Sequence, residues 1–196
     1  MTGAAEELAR GRVAAVGEDL GEALDAVLLH GAYIGSTQGF PELFPPAWTA
    51  GILAGMDPTS LEFWEWFYVT GNEGKSLSAE EMQRAIEERW HPDLVLIQDP
   101  KFPGTAGEFH GYGGLMAVNR ELLESWDEIQ WQPREVHDLG GDRYLVLIEA
   151  SGRGRGSGLP LNEAEIGHIV KLREGRTERL ETYVGWDAAR EAAGLT

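Results

Sequence analysis

Residues 143–184 read RYLVLIEASGRGRGSGLPLNEAEIGHIVKLREGRTERLETYV, and this stretch contains most of the strand-like pattern of the chain. Val, Ile, Leu, Thr and Tyr dominate three runs. A Gly/Arg-rich segment at 152–158 and the turn Arg173–Arg176 separate them. Runs of this composition with period-two alternation are typical of strands, and short turns between them join antiparallel neighbours. The stretch therefore predicts three strands in hairpin succession, at residues 143–151, 161–172 and 177–184.

Upstream of this stretch the hydrophobic period lengthens to between three and four residues, which is typical of amphipathic helices. One more strand, at residues 129–138, precedes a turn at Gly140–Asp142. Before it the pattern predicts three helices, with a strand at Leu94–Asp99 between the second and the third and a loop at residues 100–114. Helices and strands segregated in this order predict an α+β fold, in which the helices pack on one face of a bent antiparallel sheet.

Local signals mark where the helices begin. Thr59 with Glu62, and Ser78 with Glu81, have the spacing of a capping box, in which two side chains satisfy the free N–H groups of the first turn. They predict the starts of the first two helices. Asp187 predicts the cap of a short final helix.

Composition limits the possible partners. The chain has 196 residues, no cysteine and a formal net charge of −17. Disulfides, thiolate metal sites and a cysteine nucleophile are excluded. An acidic surface repels phosphate, so nucleic acids and anionic membranes are poor partners. No basic leader and no apolar run of about 18 residues is found, so we expect a cytoplasmic protein. The excess of Arg over Lys indicates a bacterial source of high GC content.

The first 57 residues differ in composition and hydrophobic pattern from the rest of the chain. An amphipathic pattern between Val13 and Leu28 predicts a helix, although Gly17 and Gly21 weaken it. Residues 31–57 combine glycines and prolines with large aromatic side chains, a mixture that suits an irregular segment lying against another surface. We therefore expect an N-terminal extension at residues 1–57 that covers the main domain or a partner subunit, and a main domain at residues 58–196.

Three further motifs lie in the main domain in a fixed order. They are WHPDLVLIQDP at Trp90–Pro100, GYGGL at Gly111–Leu115, and HIVKLREGR at His168–Arg176 followed by LETY at Leu180–Tyr183. Together they resemble the SnoaL-like branch of the nuclear transport factor 2-like superfamily, over about residues 58–196. The resemblance implies a cone-shaped, curved antiparallel sheet packed against three helices, a deep pocket between sheet and helices, and frequent homodimers. Residues 1–57 have no counterpart in it.

Two candidate catalytic residues lie on predicted strands. Asp99 ends the first strand on the face of Val95 and Ile97; at the rim of an apolar pocket, burial would raise its pKa and suit it to general acid or base work. The alternative is an aspartate that forms the turn before Pro100. His168 lies in mid-strand, where an imidazole pointing into the pocket could carry a proton. The alternative is a core histidine bonded to the backbone.

His110 and Tyr112 are further catalytic candidates in the loop before the third helix. A tyrosine hydroxyl at the pocket mouth could stabilise an enolate or alkoxide oxygen. The other interpretation is that both are ordinary polar residues of a surface loop. The neighbouring sequence does not decide between these two interpretations for either residue.

Aromatic side chains supply the candidate substrate-binding residues. Trp64 and Tyr68 on the first helix, with Trp126, are candidates for the walls of a pocket that binds a flat or polycyclic molecule. Tyr183 matches a pocket position of the resembling family, although the pattern alone does not fix which face of the last strand points inward. The alternative for all four is packing in the core.

The resemblance implies several functions rather than one, since fold does not determine activity. The first hypothesis is an enzyme without cofactor or metal that performs acid–base chemistry on a polyketide-, terpenoid- or steroid-like molecule, as a cyclase, isomerase, dehydratase or epoxide hydrolase of bacterial secondary metabolism. The second is a non-catalytic small-molecule carrier or sensor. The third is an interaction protein whose cone is filled by side chains.

Overall fold

The computed structural model describes residues 56–73, 79–102 and 105–195. The expected helix between Val13 and Leu28, the segment at 31–55 and the capping residue Ser78 lie outside these ranges. Within them, none of the helices is long and apolar enough to cross a membrane.

Four helices and six strands occupy the described ranges. In chain order they are α1 (Leu61–Glu73), α2 (Ala79–Arg89), β1 (Trp90–Gln98), β2 (Gly107–His110), α3 (Gly111–Ser125), β3 (Trp126–Gly140), β4 (Arg143–Gly154), β5 (Pro160–Arg173), β6 (Arg176–Val184) and α4 (Trp186–Ala193).

The six strands form one sheet in the order β2-β1-β6-β5-β4-β3. Neighbours are antiparallel except β1 and β6, which pair in parallel. The long strands β3, β4 and β5 curl the sheet into a half-barrel. Register shifts interrupt the β3–β4 pairing at three places, and such bulges bend a strand and increase its twist. The expected α+β cone is confirmed.

The two faces of the sheet have separate cores because strand side chains alternate. On the concave face, Val146, Ile148 and Ile166 pack with the aromatic side chains of α1. On the convex face, Leu145, Leu147 and Ile169 pack against Ala189 of α4. The sequence predicted that the helices pack on one face of the sheet. The structure differs, because α4 packs on the convex face.

Several element boundaries differ from the prediction. The first strand begins at Trp90 rather than Leu94, because Pro92 falls in the register shift between Trp90 and Val95, where no ladder N–H is needed. The segment expected to be a loop holds the short strand β2, which pairs along β1.

Two predicted caps are also different. In α1 the side chain of Ser60, rather than Thr59, accepts the free N–H of Phe63 at 3.3 Å. In α4 the cap is Gly185, with φ of 96°, and Asp187 lies inside the first turn.

Candidate binding site on the concave face

Tyr68 and His168 form a buried pair between α1 and β5. The Tyr68 hydroxyl lies 2.7 Å from His168 Nδ1, and the two side chains are 7% and 6% exposed. Burial lowers the pKa of His168 to about 3 and raises the pKa of Tyr68 well above its usual range, because each charged form would lose its hydration. Both side chains are therefore neutral at pH 7. When the hydroxyl donates to Nδ1, the imidazole proton resides on Nε2.

Two more polar side chains lie beside His168 on the concave face. Thr182 of β6 is directly opposite His168 in the β5–β6 register and is 3% exposed. Its hydroxyl makes no hydrogen bond within the structure as described. Gln98 of β1 is 8% exposed and continues the parallel register that pairs Ile97 with Glu181, next to Thr182. Gln98, Thr182 and His168 thus form a polar row across three adjacent strands, which we call the concave polar row.

Aromatic rings surround the Tyr68–His168 pair. Trp131 of β3 lies 5.8 Å from His168 between ring centroids and stacks on Phe102 at 5.9 Å. Trp64 is fully buried, lies 6.0 Å from Tyr144, and donates its indole N–H to the Pro58 carbonyl at 2.8 Å. Apolar walls with a few convergent polar groups are typical of sites for small organic molecules.

A cleft of about 550 Å³ opens at the far end of β3, β4 and β5. Apart from Trp131, its lining is polar: Gln130, Gln132, Arg134, Glu149, Ser151, Asn162 and Glu163. Trp131 belongs both to the cleft and to the ring cluster at His168. In the described ranges, His, Asp and Glu side chains nowhere gather in threes as metal ligands would.

Asp99 is not part of the concave polar row, although the sequence suggested it as a catalytic residue at the rim of the pocket. From Leu94 onward the buried side chains of β1 are Leu94, Leu96 and Gln98, so Asp99 belongs to the opposite phase of the strand. Its carboxylate accepts the N–H of Val184 at 3.0 Å and that of Lys101 at 2.8 Å. These bonds tie the end of β1 to the end of β6 and form the turn that was the alternative interpretation.

His110 and Tyr112 lie at the junction of β2 and α3 but in different environments. The His110 side chain is 68% exposed and 3.1 Å from Glu108. Tyr112 is buried, and its hydroxyl donates to the Trp90 carbonyl at 3.1 Å. Burial raises the pKa of Tyr112. The structure brings neither of them into contact with the Tyr68–His168 pair.

Tyr183 lies on the convex face, on the other side of the sheet from the Tyr68–His168 pair. In the second half of β6, Glu181 and Tyr183 alternate with the buried Leu180 and Thr182, and Tyr183 packs with the α4 cluster while its hydroxyl donates to Glu181 at 2.8 Å. Burial, together with this carboxylate, raises the pKa of Tyr183 to about 12. Trp126 is buried where α3 meets β3, and its indole N–H has no acceptor within the part of the chain that the structure describes.

Sequence reasoning did not single out Thr182 or Gln98. The available signal was a polar residue in the same strand phase as apolar neighbours, such as Thr182 between Leu180 and Val184. Because the inward face of β6 was undecided, that signal could not be used. Of the predicted wall residues, Trp64 and Tyr68 lie in the concave core.

No protein-family model matches the chain, and no curated protein matches its sequence. Solved structures do match. TerC, co-crystallised with polyporic acid, is 18% identical over 68% of this chain and 96% of its own, with a TM-score of 0.51. An NTF2-like protein of unknown function from Burkholderia pseudomallei is 17% identical over 68% of this chain and 94% of its own, with a TM-score of 0.50.

A third similar structure is a candidate SnoaL-like polyketide cyclase from Jannaschia sp. CCS1. It is 16% identical over 72% of this chain and 99% of its own, with a TM-score of 0.51. Identities this low carry information on the fold alone. The chain therefore has the cone-shaped fold shared by nuclear transport factor 2-like and SnoaL-like proteins.

Proposed function

We propose that the chain binds a small, largely apolar organic molecule against the concave face and holds one of its oxygen atoms with the Tyr68–His168 pair. The observation that carries this proposal is a neutral, buried imidazole bonded to a tyrosine hydroxyl inside an aromatic cluster. A polar pair in such a place costs free energy unless its groups are satisfied. The Thr182 hydroxyl beside His168 has no hydrogen-bond partner among the described residues, and a ligand carbonyl or hydroxyl held there by Thr182 and His168 would supply one.

The catalytic form of this proposal is an enzyme that works without a cofactor. An N–H directed at a carbonyl oxygen stabilises the negative charge that develops there during isomerisation, dehydration or cyclisation. His168 would act as a neutral hydrogen-bond donor rather than as a proton carrier, because its pKa of about 3 leaves it unprotonated at pH 7. Removal of a proton from carbon would then fall to a group on the substrate or to bound water.

One observation favours the alternative of a carrier or sensor that performs no chemistry. The buried polar side chains of the described residues include no aspartate or glutamate; they are Arg89, His91, Gln98, Thr105, His168, Thr177 and Thr182. Carboxylates are the usual bases for abstraction of a carbon-bound proton in apolar sites. A site with hydrogen-bond donors and no carboxylate is suited to holding an oxygen atom.

The binding proposal can be tested by a matched pair of tyrosine variants. Purified protein is screened by thermal shift against polyketide, steroid and epoxide-bearing compounds, and each stabilising compound is then titrated. Tyr68→Phe should weaken its affinity by about two- to tenfold, the usual effect of one neutral hydrogen bond. Tyr144→Phe removes a hydroxyl from the same buried face without touching His168, and should leave the affinity unchanged. Equal affinities in all three proteins would refute the proposed site.

Mass spectrometry of each stabilising compound after incubation separates the enzyme from the carrier. A product of altered mass, or an isomer resolved by chromatography, supports catalysis, and its formation should slow in Tyr68→Phe. Compounds that return intact support the carrier or sensor. The comparison uses the same protein samples, so binding and turnover are read on one preparation.

We also propose that the chain forms a homodimer and that residues 31–57 cap the site or wrap the partner. The resemblance to dimeric families and the apolar composition of that segment support these two ideas. Sedimentation equilibrium of the full chain and of a variant lacking residues 1–50 tests both. A monomeric full chain contradicts the first. A shortened chain with unchanged stability, association and affinity contradicts the second.

A further inference from the structure

Trp66 and Arg89 form a buried contact that the proposed function does not use. The guanidinium carbon of Arg89, in the last turn of α2, lies 4.1 Å from the ring centroid of Trp66 in α1. Only 8% of Arg89 is exposed. Its Nε and the Nε1 of Trp66 are both buried, and neither of these two donors has an acceptor in the described structure. Two adjacent buried donors without an acceptor are suited to a ligand group that accepts from both.

Because Arg89 is a cation, a ligand group that accepts from it should be an anion. Six other arginines of the described chain form ion pairs with carboxylates; they are Arg134, Arg155, Arg173, Arg176, Arg179 and Arg190. Arg89 is more buried than these residues, and no side chain that the structure describes forms such an ion pair with it. Burying a cation is costly, and the ring of Trp66 and the nearby charge of Glu88 compensate for only part of that cost. Burial lowers the pKa of Arg89 to about 10, so it remains a cation at pH 7.

We propose that Arg89 and Trp66 bind a carboxylate group. The planar guanidinium fork matches the two oxygens of a carboxylate better than any other side chain does, and the indole adds a donor of fixed direction. The carboxylate could belong to a free organic acid. A second source is one of the seven acidic residues at positions 1–55, which are Glu6, Glu7, Glu18, Asp19, Glu22, Asp25 and Glu42.

Nuclear magnetic resonance of the full-length chain reads this site directly. The protein has seven tryptophans, so a ¹⁵N–¹H spectrum contains seven indole signals, and Trp66→Phe identifies the one from Trp66. Benzoate is the probe, and benzamide, which has the same shape without the charge, is its control. Where the site is open to free acids, benzoate shifts the Trp66 signal in a saturable way and benzamide does not.

Protein variants distinguish the site from its surroundings. Arg89→Met should weaken benzoate binding by at least about tenfold, as expected when a charge-assisted hydrogen bond is lost. Arg84→Met, an exposed arginine on the same helix, should leave it unchanged. If Arg89→Met does not fold, calorimetry on Trp66→Phe replaces it, and benzoate affinity should fall at least twofold.

A second set of outcomes separates the two sources of the carboxylate. A variant with all seven N-terminal acids changed to their amides leaves the site empty if one of them occupies it. Benzoate would then shift the Trp66 signal only in that variant. A shift in the unmodified chain indicates a site open to free acids. If benzoate leaves the Trp66 signal unmoved in both proteins, the proposal is wrong.

Discussion

The imidazole of His168 illustrates how burial sets chemistry at the scale of one residue. In water this group would gain a proton near pH 6.5, but on the concave face its cation would lose hydration without gaining a counter-charge. Its nearest polar neighbours, Tyr68 and Thr182, are neutral groups. His168 therefore remains a neutral donor and acceptor over the whole physiological range.

This environment makes stability depend on pH in a direction that can be stated. The pKa of His168 is lowered on folding, so below pH 6.5 the unfolded chain binds a proton that the folded chain does not. The contribution is complete above pH 6.5 and declines as the pH falls toward 3. Lowering the pH from 7.5 to 5 should therefore reduce the unfolding free energy by about 2 kcal/mol through this group. Urea unfolding of wild type and His168→Gln at these two pH values measures the difference.

The exposed His110 supplies the control for that measurement. His110→Gln makes the same substitution at an exposed side chain away from the concave face, so its unfolding free energy at pH 7.5 should be close to that of wild type. If His168→Gln loses as much stability as wild type between pH 7.5 and pH 5, His168 is not a buried neutral imidazole.

Residue-level prediction from sequence was limited by orientation. His168, Trp64 and Tyr68 could be placed in the interior because apolar neighbours at the strand or helix period surround them. Asp99 could not, because an aspartate at a strand end has the same sequence context whether it faces a pocket or caps a neighbouring strand. Its bond to Val184 joins residues 85 positions apart, and no local pattern encodes such a contact.

At the scale of elements, the docking of α4 on the convex face depends on a glycine. A Cβ built on Gly167 of β5 would lie 2.1 Å from the Cβ of Ala189, far inside contact distance. Gly167→Ala should therefore lower the unfolding free energy by about 1–3 kcal/mol, as overpacking usually does. The double variant Gly167→Ala/Ala189→Gly should recover part of the loss, which chemical unfolding of the four proteins in the cycle measures.

Gly113 in the first turn of α3 provides the opposite case. A Cβ there meets nothing within 4 Å, and alanine favours a helix over glycine. Gly113→Ala should raise stability by about 0.5–1 kcal/mol. If Gly167→Ala behaves like Gly113→Ala, α4 does not dock as described.

A second element-level contact joins the start of β1 to the β5–β6 hairpin. The guanidinium of Arg173 contacts the imidazole of His91, Asp93 at 2.9 Å and Glu178 at 2.8 Å. The pKa of His91 is lowered, first by burial and then by the charges of Arg173 and Arg176. Arg173→Met removes one of those charges, so the pKa of His91 should rise, as measured by NMR titration of its imidazole.

Lys171 is the matched control for this experiment. It pairs with the same Glu178, at 2.9 Å, without touching His91. Lys171→Met should leave the His91 titration near its wild-type position. A His91 pKa that falls or stays the same in Arg173→Met would contradict the role given to the guanidinium charge.

The element order was predictable, but the pairing of the strands was only partly so. Period-two alternation and tight turns predicted the meander of β3 to β6, since each turn joins neighbours. No local sequence pattern indicated that β1 would pair in parallel with β6, because the two strands are separated by most of the domain's sequence. The contact of Trp66 with Arg89 was missed for the same reason: it joins two helices across a connection.

On the scale of the whole molecule, one curled sheet makes two different surfaces. The concave face encloses the Tyr68–His168 pair in apolar rings, and the convex face carries α4 and a polar cleft. The curl is what brings α1 over β5, so that Tyr68 and His168 meet although 100 residues separate them. The chemistry proposed for the concave face therefore depends on the bulges in β3 that bend the sheet.

The net charge of −17 acts on the whole molecule and predicts its response to salt. Repulsion among excess carboxylates opposes the compact state, and salt screens charges separated by more than about 10 Å at 0.1 M. Raising NaCl from low concentration to 0.3 M at pH 7.5 should therefore raise the Tm by about 2–5 °C, which corresponds to roughly 1 kcal/mol in a chain of this size. At pH 5, close to the sequence pI of 4.6, little net charge remains and the rise should shrink. Differential scanning calorimetry at both pH values gives the comparison. A Tm that falls with salt at pH 7.5 would mean that the surface ion pairs stabilise the fold more than the net charge destabilises it.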